Sequence, residues 1–275
     1  MKRNLFWAGW VLLGSLGTGC FFGASRTDFD LKDVTGTTIF ESEKDWAQTL
    51  VDGRYRLYNN VWNKGATSGR YRQKVFLKEE NGKSVFGWIW KWRESDTVVS
   101  YPEILAGHSP WQGEIIPNSG FPFQVGTKRL VADYAVTVNA TGSYNLAFEF
   151  WTVSSLPPSK STITHEVMIW IAGERLGAAG AMVGKATIDG NTYSVFYKKD
   201  HGDASGANTN TWSIISLLAE KPILHGPLDI SQIIDYLLKN QLLDPKVYVS
   251  SLELGNEVMR GSGTTVVRNY AIACE

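Results

Sequence analysis

Residues 165–170 read His-Glu-Val-Met-Ile-Trp. Successive side chains of a β-strand point to opposite faces, so Glu166, Met168 and Trp170 form one row, and Val167 and Ile169 face the other way. Outward from this stretch, runs with the same period of two occupy 72–77, 85–92, 130–138, 144–153, 166–172, 192–197, 212–217, 247–254 and 264–272. Turn dipeptides separate them: Asn81-Gly82 and Asp189-Gly190 are strong hairpin signals, and Thr141-Gly142 marks a third turn. One segment breaks the rhythm. Ile230, Ile233, Ile234, Leu237 and Leu238 recur at helical spacing, with Asp229 placed to cap, Gln232 completing a capping-box pattern and Pro245 beyond the end. Many strands with a single helix predict an all-β sandwich or jelly roll, the helix lying on the outside of a sheet.

Composition removes several function classes. The 275 residues carry 27 basic and 27 acidic side chains, which leaves no electrostatic footprint for nucleic acid, so none is expected as a partner. Two cysteines exclude a disulfide scaffold. The four histidines, His108, His165, His201 and His225, are scattered without ligand spacing, and no metal or other cofactor is expected. No nucleophile-elbow pattern supports Ser-His-Asp chemistry. The 11 tryptophans serve either a tryptophan-rich core or flat surfaces for stacking.

Lys2 and Arg3 precede an uncharged run from Leu5 to Leu16, the layout of a secretory signal and too short to span a bilayer. Gly17-Thr18-Gly19-Cys20 resembles a bacterial lipoprotein signal, in which Cys20 becomes the lipidated N-terminus, although Gly17 stands where leucine is usual. Cleavage near Ala24 and Ser25, with Cys20 discarded, is the alternative. The expected organisation is a signal peptide over 1–19, a tether over 20–36 and one domain over 37–275. Export is expected, as a cell-surface or outer-membrane lipoprotein or as a secreted or periplasmic protein. Membrane contact is expected only through the lipid anchor, and the protein is expected to be a monomer. Residues 201–210 read as a Gly/Asn/Ala-rich loop.

A carboxylate, a thioether and an indole in one row suit the floor of a groove that stacks a sugar ring on Trp170 and brings Glu166 to its anomeric carbon. The competing reading is an edge-strand glutamate beside exposed hydrophobes. Trp88, Trp90 and Trp92 form a second row, alternating with Ile89 and Lys91, and divide between core and floor. Cleavage of a glycosidic bond needs a second carboxylate. Glu257, at a strand end beside the turn Gly261-Ser262-Gly263-Thr264, can face a cleft. Glu149, inside Phe148-Glu149-Phe150-Trp151, is costly to bury unless paired, which suits a supporting partner of Glu166. His165 points away from the Glu166 row and reads as a packed or surface imidazole.

Asn59-Asn60-Val61-Trp62, the tryptophan row with Ser100-Tyr101-Pro102, Glu166-Val167-Met168-Ile169-Trp170, and Gly255-Asn256-Glu257 with Gly261-Ser262-Gly263-Thr264 occur in the order seen in glycoside hydrolase family 12. The resemblance covers 55–272. It implies a jelly roll of two curved antiparallel sheets, the concave one forming an open cleft for a β-1,4-glucan. It also implies retaining hydrolysis, with Glu166 as nucleophile and Glu257 as acid/base. Trp62 matches a cleft tryptophan, and Met168 and Trp170 match residues lining the site; Trp90 and Trp92 are added as substrate-binding candidates from the second row. Three positions depart from the family pattern: Glu149 replaces an aspartate hydrogen-bonded to the nucleophile, Asn256 a threonine, and Ala181 a loop proline.

The resulting expectation is an endo-hydrolase of cellulose-type, mixed-linkage or xyloglucan chains working by double displacement. For retention the two carboxyls lie about 5–5.5 Å apart, and for inversion about 6.5–9.5 Å. Two alternatives compete: a non-catalytic glycan-binding lipoprotein with the same cleft, and a structural cell-envelope protein whose aromatics are all interior.

Overall fold

The computed structural model describes residues 34–112, 116 and 119–275; the signal, tether and Cys20 expectations fall mostly on residues 1–33, outside the described residues. The first strands are β1 (Thr37–Ser42), β2 (Gln48–Val51), β3 (Tyr55–Tyr58), β4 (Arg72–Glu80) and β5 (Lys83–Trp92). They are followed by β6 (Glu103–Gly107), β7 (Phe123–Gln124), β8 (Leu130–Val153), β9 (Ile163–Glu174) and β10 (Ala181–Ile188). The chain ends with β11 (Asn191–Gly202), β12 (Thr211–Ala219), β13 (Leu228–Asp229), the helix α1 (Ile230–Lys239), β14 (Tyr248–Gly255) and β15 (Val258–Cys274).

Two predicted runs, 130–138 and 144–153, are one strand. The first part of β8 pairs with β15 in the layer that also holds β5, β4 and β1. Its second part lies between β14 and β9 in the other layer, which continues to β6, β3 and β2 on one side and to β12, β11 and β10 on the other. The strand changes layer at Gly142, whose φ is 116°, opposite Gly261 at φ 105°. A Cβ on Gly142 would stand 2.3 Å from the Arg260 carbonyl oxygen, so the turn signal read at Thr141-Gly142 marks a close crossing of two backbones.

Between the named strands pairing is antiparallel except for β9 and β12, where Ile214 lies beside Glu166 in parallel register. Residues 175–180 return from the end of β9 and restart the chain in β10 in the same sense. The β10–β11 hairpin and the turn into β12 then leave β12 parallel to β9.

Between the layers lies a core that takes the Val167 and Ile169 face of β9 and the buried stripe of α1, Ile230, Ile233, Ile234 and Leu237. Asp229 caps the helix by accepting the Ser231 N–H at 3.2 Å. The expectation that Trp90 and Trp92 touch substrate is corrected here. Trp90 is 0% and Trp92 3% exposed, and with Trp88 both belong to the core. An alternating strand in the outer layer turns its apolar row to the interior just as one in the concave layer does, and period two cannot tell the layers apart.

Candidate active site

The concave layer presents rows of side chains across its strands. Ile214, Glu166, Trp151 and Ser251 are successive partners across β12, β9, β8 and β14; Met168, Glu149 and Glu253 form the next row, and Trp170, Ala147, Gly255 and Glu103 the third. These rows floor a cleft of about 440 Å³. Trp62, Met168 and Trp170 line it as the sequence predicts, and so do Glu149, Glu166 and Glu257. The return segment 175–180 contributes Leu176, Gly177 and Ala179.

Glu257 sits in the turn between β14 and β15 and is held by Asn145. The Glu257 backbone N–H donates to Asn145 Oδ1 at 2.9 Å, the Asn145 backbone N–H donates to the Glu257 carbonyl at 3.0 Å, and Asn145 Nδ2 donates to Glu257 Oε2. The preceding residue, Asn256, points inward. Its Oδ1 accepts from Trp88 Nε1 at 2.6 Å and Thr265 Oγ1 at 2.7 Å, and its Nδ2 donates to the Asn145 carbonyl. The core tryptophans therefore serve the site from behind. Trp92 does likewise: its Nε1 donates to Gln73, which donates to Asn59, bracing the turn that presents Trp62.

Glu166 is 7% exposed, and Trp212 Nε1 donates to its Oε2 at 2.7 Å. The charge of Glu166 acts on Glu149 and raises it, and among the described residues no hydrogen bond joins the two. His165 meets Thr152 and Thr164 outside the cleft, as expected of a packed imidazole. The loop at 201–210 is a hydrogen-bonded turn, with Asp203 accepting from the Ser205 and Asn208 backbones at 2.9 Å, and its residues 202–205 wall one end of the cleft.

The sequence profile of glycosyl hydrolase family 12 matches residues 53–275. The chain belongs to glycosyl hydrolase family 12. Endoglucanase S of Pectobacterium parmentieri is 28% identical over 225 residues, spanning 80% of this chain and 82% of that protein. A Phytophthora nicotianae protein named Inactive glycoside hydrolase XLP1 is 25% identical over 227 residues, spanning 80% and 87%. Among solved structures, a family 12 xyloglucanase from Bacillus licheniformis matches with a TM-score of 0.77 at 28% identity, covering 86% of this chain and 100% of that one. The protein is a glycoside hydrolase with the jelly-roll fold of this family.

The floor of this cleft is rich in carboxyls, Glu103, Glu149, Glu166, Glu253 and Glu257. Burial pushes Glu166 up to about 8, the charge of Glu257 adds to the rise, and the Trp212 hydrogen bond opposes it. Burial raises Glu257 to about 7, opposed by Asn145. Glu149 is held well above the usual carboxylate range by burial and then by the charge of Glu166. Glu103 is likewise high through burial, the charge of Glu253 and a hydrogen bond between the two. Asn60 Nδ2 donates to Glu103 at 2.9 Å, and Ser251 Oγ to Glu253 at 3.0 Å.

Sequence reasoning missed Trp212, Trp111, Trp151, Glu103, Glu253 and Asn145. Two signals were present: Trp212, Ile214 and Ser216 alternate in a predicted strand, and Ser251 and Glu253 form a polar row in another. Glu103 carried none, because Glu-Ile-Leu-Ala-Gly has no period.

Proposed function

We propose that this family 12 chain is a retaining endo-hydrolase of β-1,4-linked glucans, with Glu166 as nucleophile and Glu257 as acid/base. The observation that carries this reading is that a buried carboxyl from β9 and a half-buried one from the β14–β15 turn line one cleft, each with a raised pKa and one feeling the other's charge. Both carboxyls are pushed toward neutral pH, the range in which the acid/base of a double displacement must hold its proton. Endoglucanase and xyloglucanase relatives support the substrate class.

In the first step the Glu166 carboxylate attacks the anomeric carbon while the Glu257 proton passes to the departing glycosidic oxygen, leaving a glycosyl ester on Glu166. Glu257, now ionised, takes a proton from water; that water attacks the same carbon and releases Glu166. Trp62 and Trp170 offer indole faces to the pyranose rings. Time-resolved proton NMR of a cello- or xyloglucan-oligosaccharide digest tests the stereochemistry: the β-anomer appears first, whereas an initial α-anomer overturns the retaining assignment.

One observation favours a second reading, binding without turnover: a relative of similar identity bears the name of an inactive hydrolase. Oligosaccharide binding with no release of reducing ends would select it. We further propose that residues 1–19 direct export and that Cys20 is lipidated; a precursor that accumulates under globomycin supports this, and a precursor insensitive to it points to cleavage near Ala24.

A further inference from the structure

We infer that Trp212 is the positioning residue of the nucleophile, its indole N–H orienting the Glu166 carboxylate and favouring the ionised form. The inference rests on the assignment of Glu166 as nucleophile. It places on β12 the role that the family resemblance gives to the residue at 149.

Geometry carries the argument. Trp212 and Ile214 share the concave face of β12, and Ile214 is the register partner of Glu166, so the indole reaches the carboxyl from one position along the row. The contact is short, 2.7 Å, and Trp212 is 5% exposed, so water does not compete for it. An indole N–H is a donor only, and its bond to a carboxylate is charge-assisted. The ring itself is fixed from three sides: Trp111 and Trp151 meet it edge-to-face at centroid distances of 5.6 Å, and His201 does so at 5.7 Å. Trp111 and Trp151 close the triangle at 5.4 Å.

The other groups around Glu166 do not do this work. Glu149 on β8, Glu253 on β14 and Glu257 beyond it are carboxyls whose charges disfavour ionisation of Glu166 or are themselves held neutral by burial. On the far side, His201 of β11 touches the indole, and Lys160 lies over Trp111 at 5.5 Å. Burial favours a proton on Glu166, the opposite of what attack requires, and Trp212 is the hydrogen-bond donor that opposes this.

Trp212→Phe keeps an aromatic ring and removes the donor. Its kcat is expected to fall about ten-fold or more, a charge-assisted hydrogen bond's worth, with KM changing less. The acid limb of its pH–rate profile moves to higher pH, because Glu166 then gives up its proton later. Trp111→Phe thins the same aromatic group without touching a carboxylate, and its acid limb stays in place. If the limb of Trp212→Phe also stays in place, the role is packing and the inference fails. Should that variant not fold, indole N–H resonances of the full protein decide: one is expected to titrate and to stop titrating in Glu166→Gln, and no such resonance overturns the inference. Hydrolysis surviving in Glu166→Gln sinks the nucleophile assignment, whereas an inactive Glu166→Gln with an unmoved limb in Trp212→Phe sinks only the part given to Trp212.

Discussion

Two groups of tryptophans in this molecule share a sequence pattern and differ in use. On β5, Trp88, Trp90 and Trp92 stand in an uninterrupted alternating row and are interior; at the cleft, Trp62, Trp170 and Trp212 come from separate segments and face the carboxyls. The difference lies in the layer to which each strand belongs. The row on β5 points between the two layers, where burial of large apolar surface stabilises the fold, and the N–H groups of Trp88 and Trp92 are spent on Asn256 and Gln73. Trp170 and Trp212 belong to the layer whose other face is open, and Trp62 joins them from the turn after β3.

The contrast can be broken most severely at Trp90. Trp90→Ala is expected to lose about 3–5 kcal/mol of stability, enough to unfold much of the protein, as a large cavity opens in the core. Trp62→Ala should cost far less in a chemical melt and instead weaken cello-oligosaccharide binding by about ten-fold, roughly one stacked ring. A folded Trp90→Ala with weakened binding and unaltered melting would reverse the assignment of the two groups.

An intermediate effect is expected at Trp88. Trp88→Phe leaves Asn256 with one donor fewer, costing about 1–2 kcal/mol. Because Asn256 precedes Glu257, the variant should also lose activity before it loses structure, visible as a lower kcat in protein with an unchanged circular dichroism spectrum.

The open face of the cleft layer also sets a pH dependence of stability. Glu166, Glu257, Glu149, Glu103 and Glu253 all bind their protons more tightly in the folded protein than in the unfolded chain. The unfolded chain gives these protons up near pH 4.5, so the contribution of these five groups to folding is greatest below that value and is lost as pH climbs through about 7 and 8. Tm should fall over that window, and Glu103→Gln should flatten the decline; a Tm that rises from pH 5 to pH 8 would show that the carboxyls ionise freely in the cleft.

Much of this was legible in the residues. Alternation and hairpin dipeptides located the principal strands, and the row at Glu166, Met168 and Trp170 faces the cleft as its chemistry suggests. What period two could not give was the layer, which misplaced Trp90 and Trp92, or the neighbour across the sheet. Trp212 reaches Glu166 only because residues 175–180 double back and bring β12 in parallel beside β9, a pairing set by the path of the chain. Glu103 and Asn145 were hidden for a similar reason: their partners lie 43 and 112 residues away.

The central claim is that Glu166 and Glu257 work together on one glycosidic bond. Reducing-end release from xyloglucan, mixed-linkage glucan and carboxymethylcellulose by the parent protein, Glu166→Gln and Glu257→Gln tests it directly. The parent should hydrolyse at least one of these polymers, and each variant should be slower by about 10²–10⁴-fold while remaining folded. Parent-like hydrolysis by either folded variant would contradict the account.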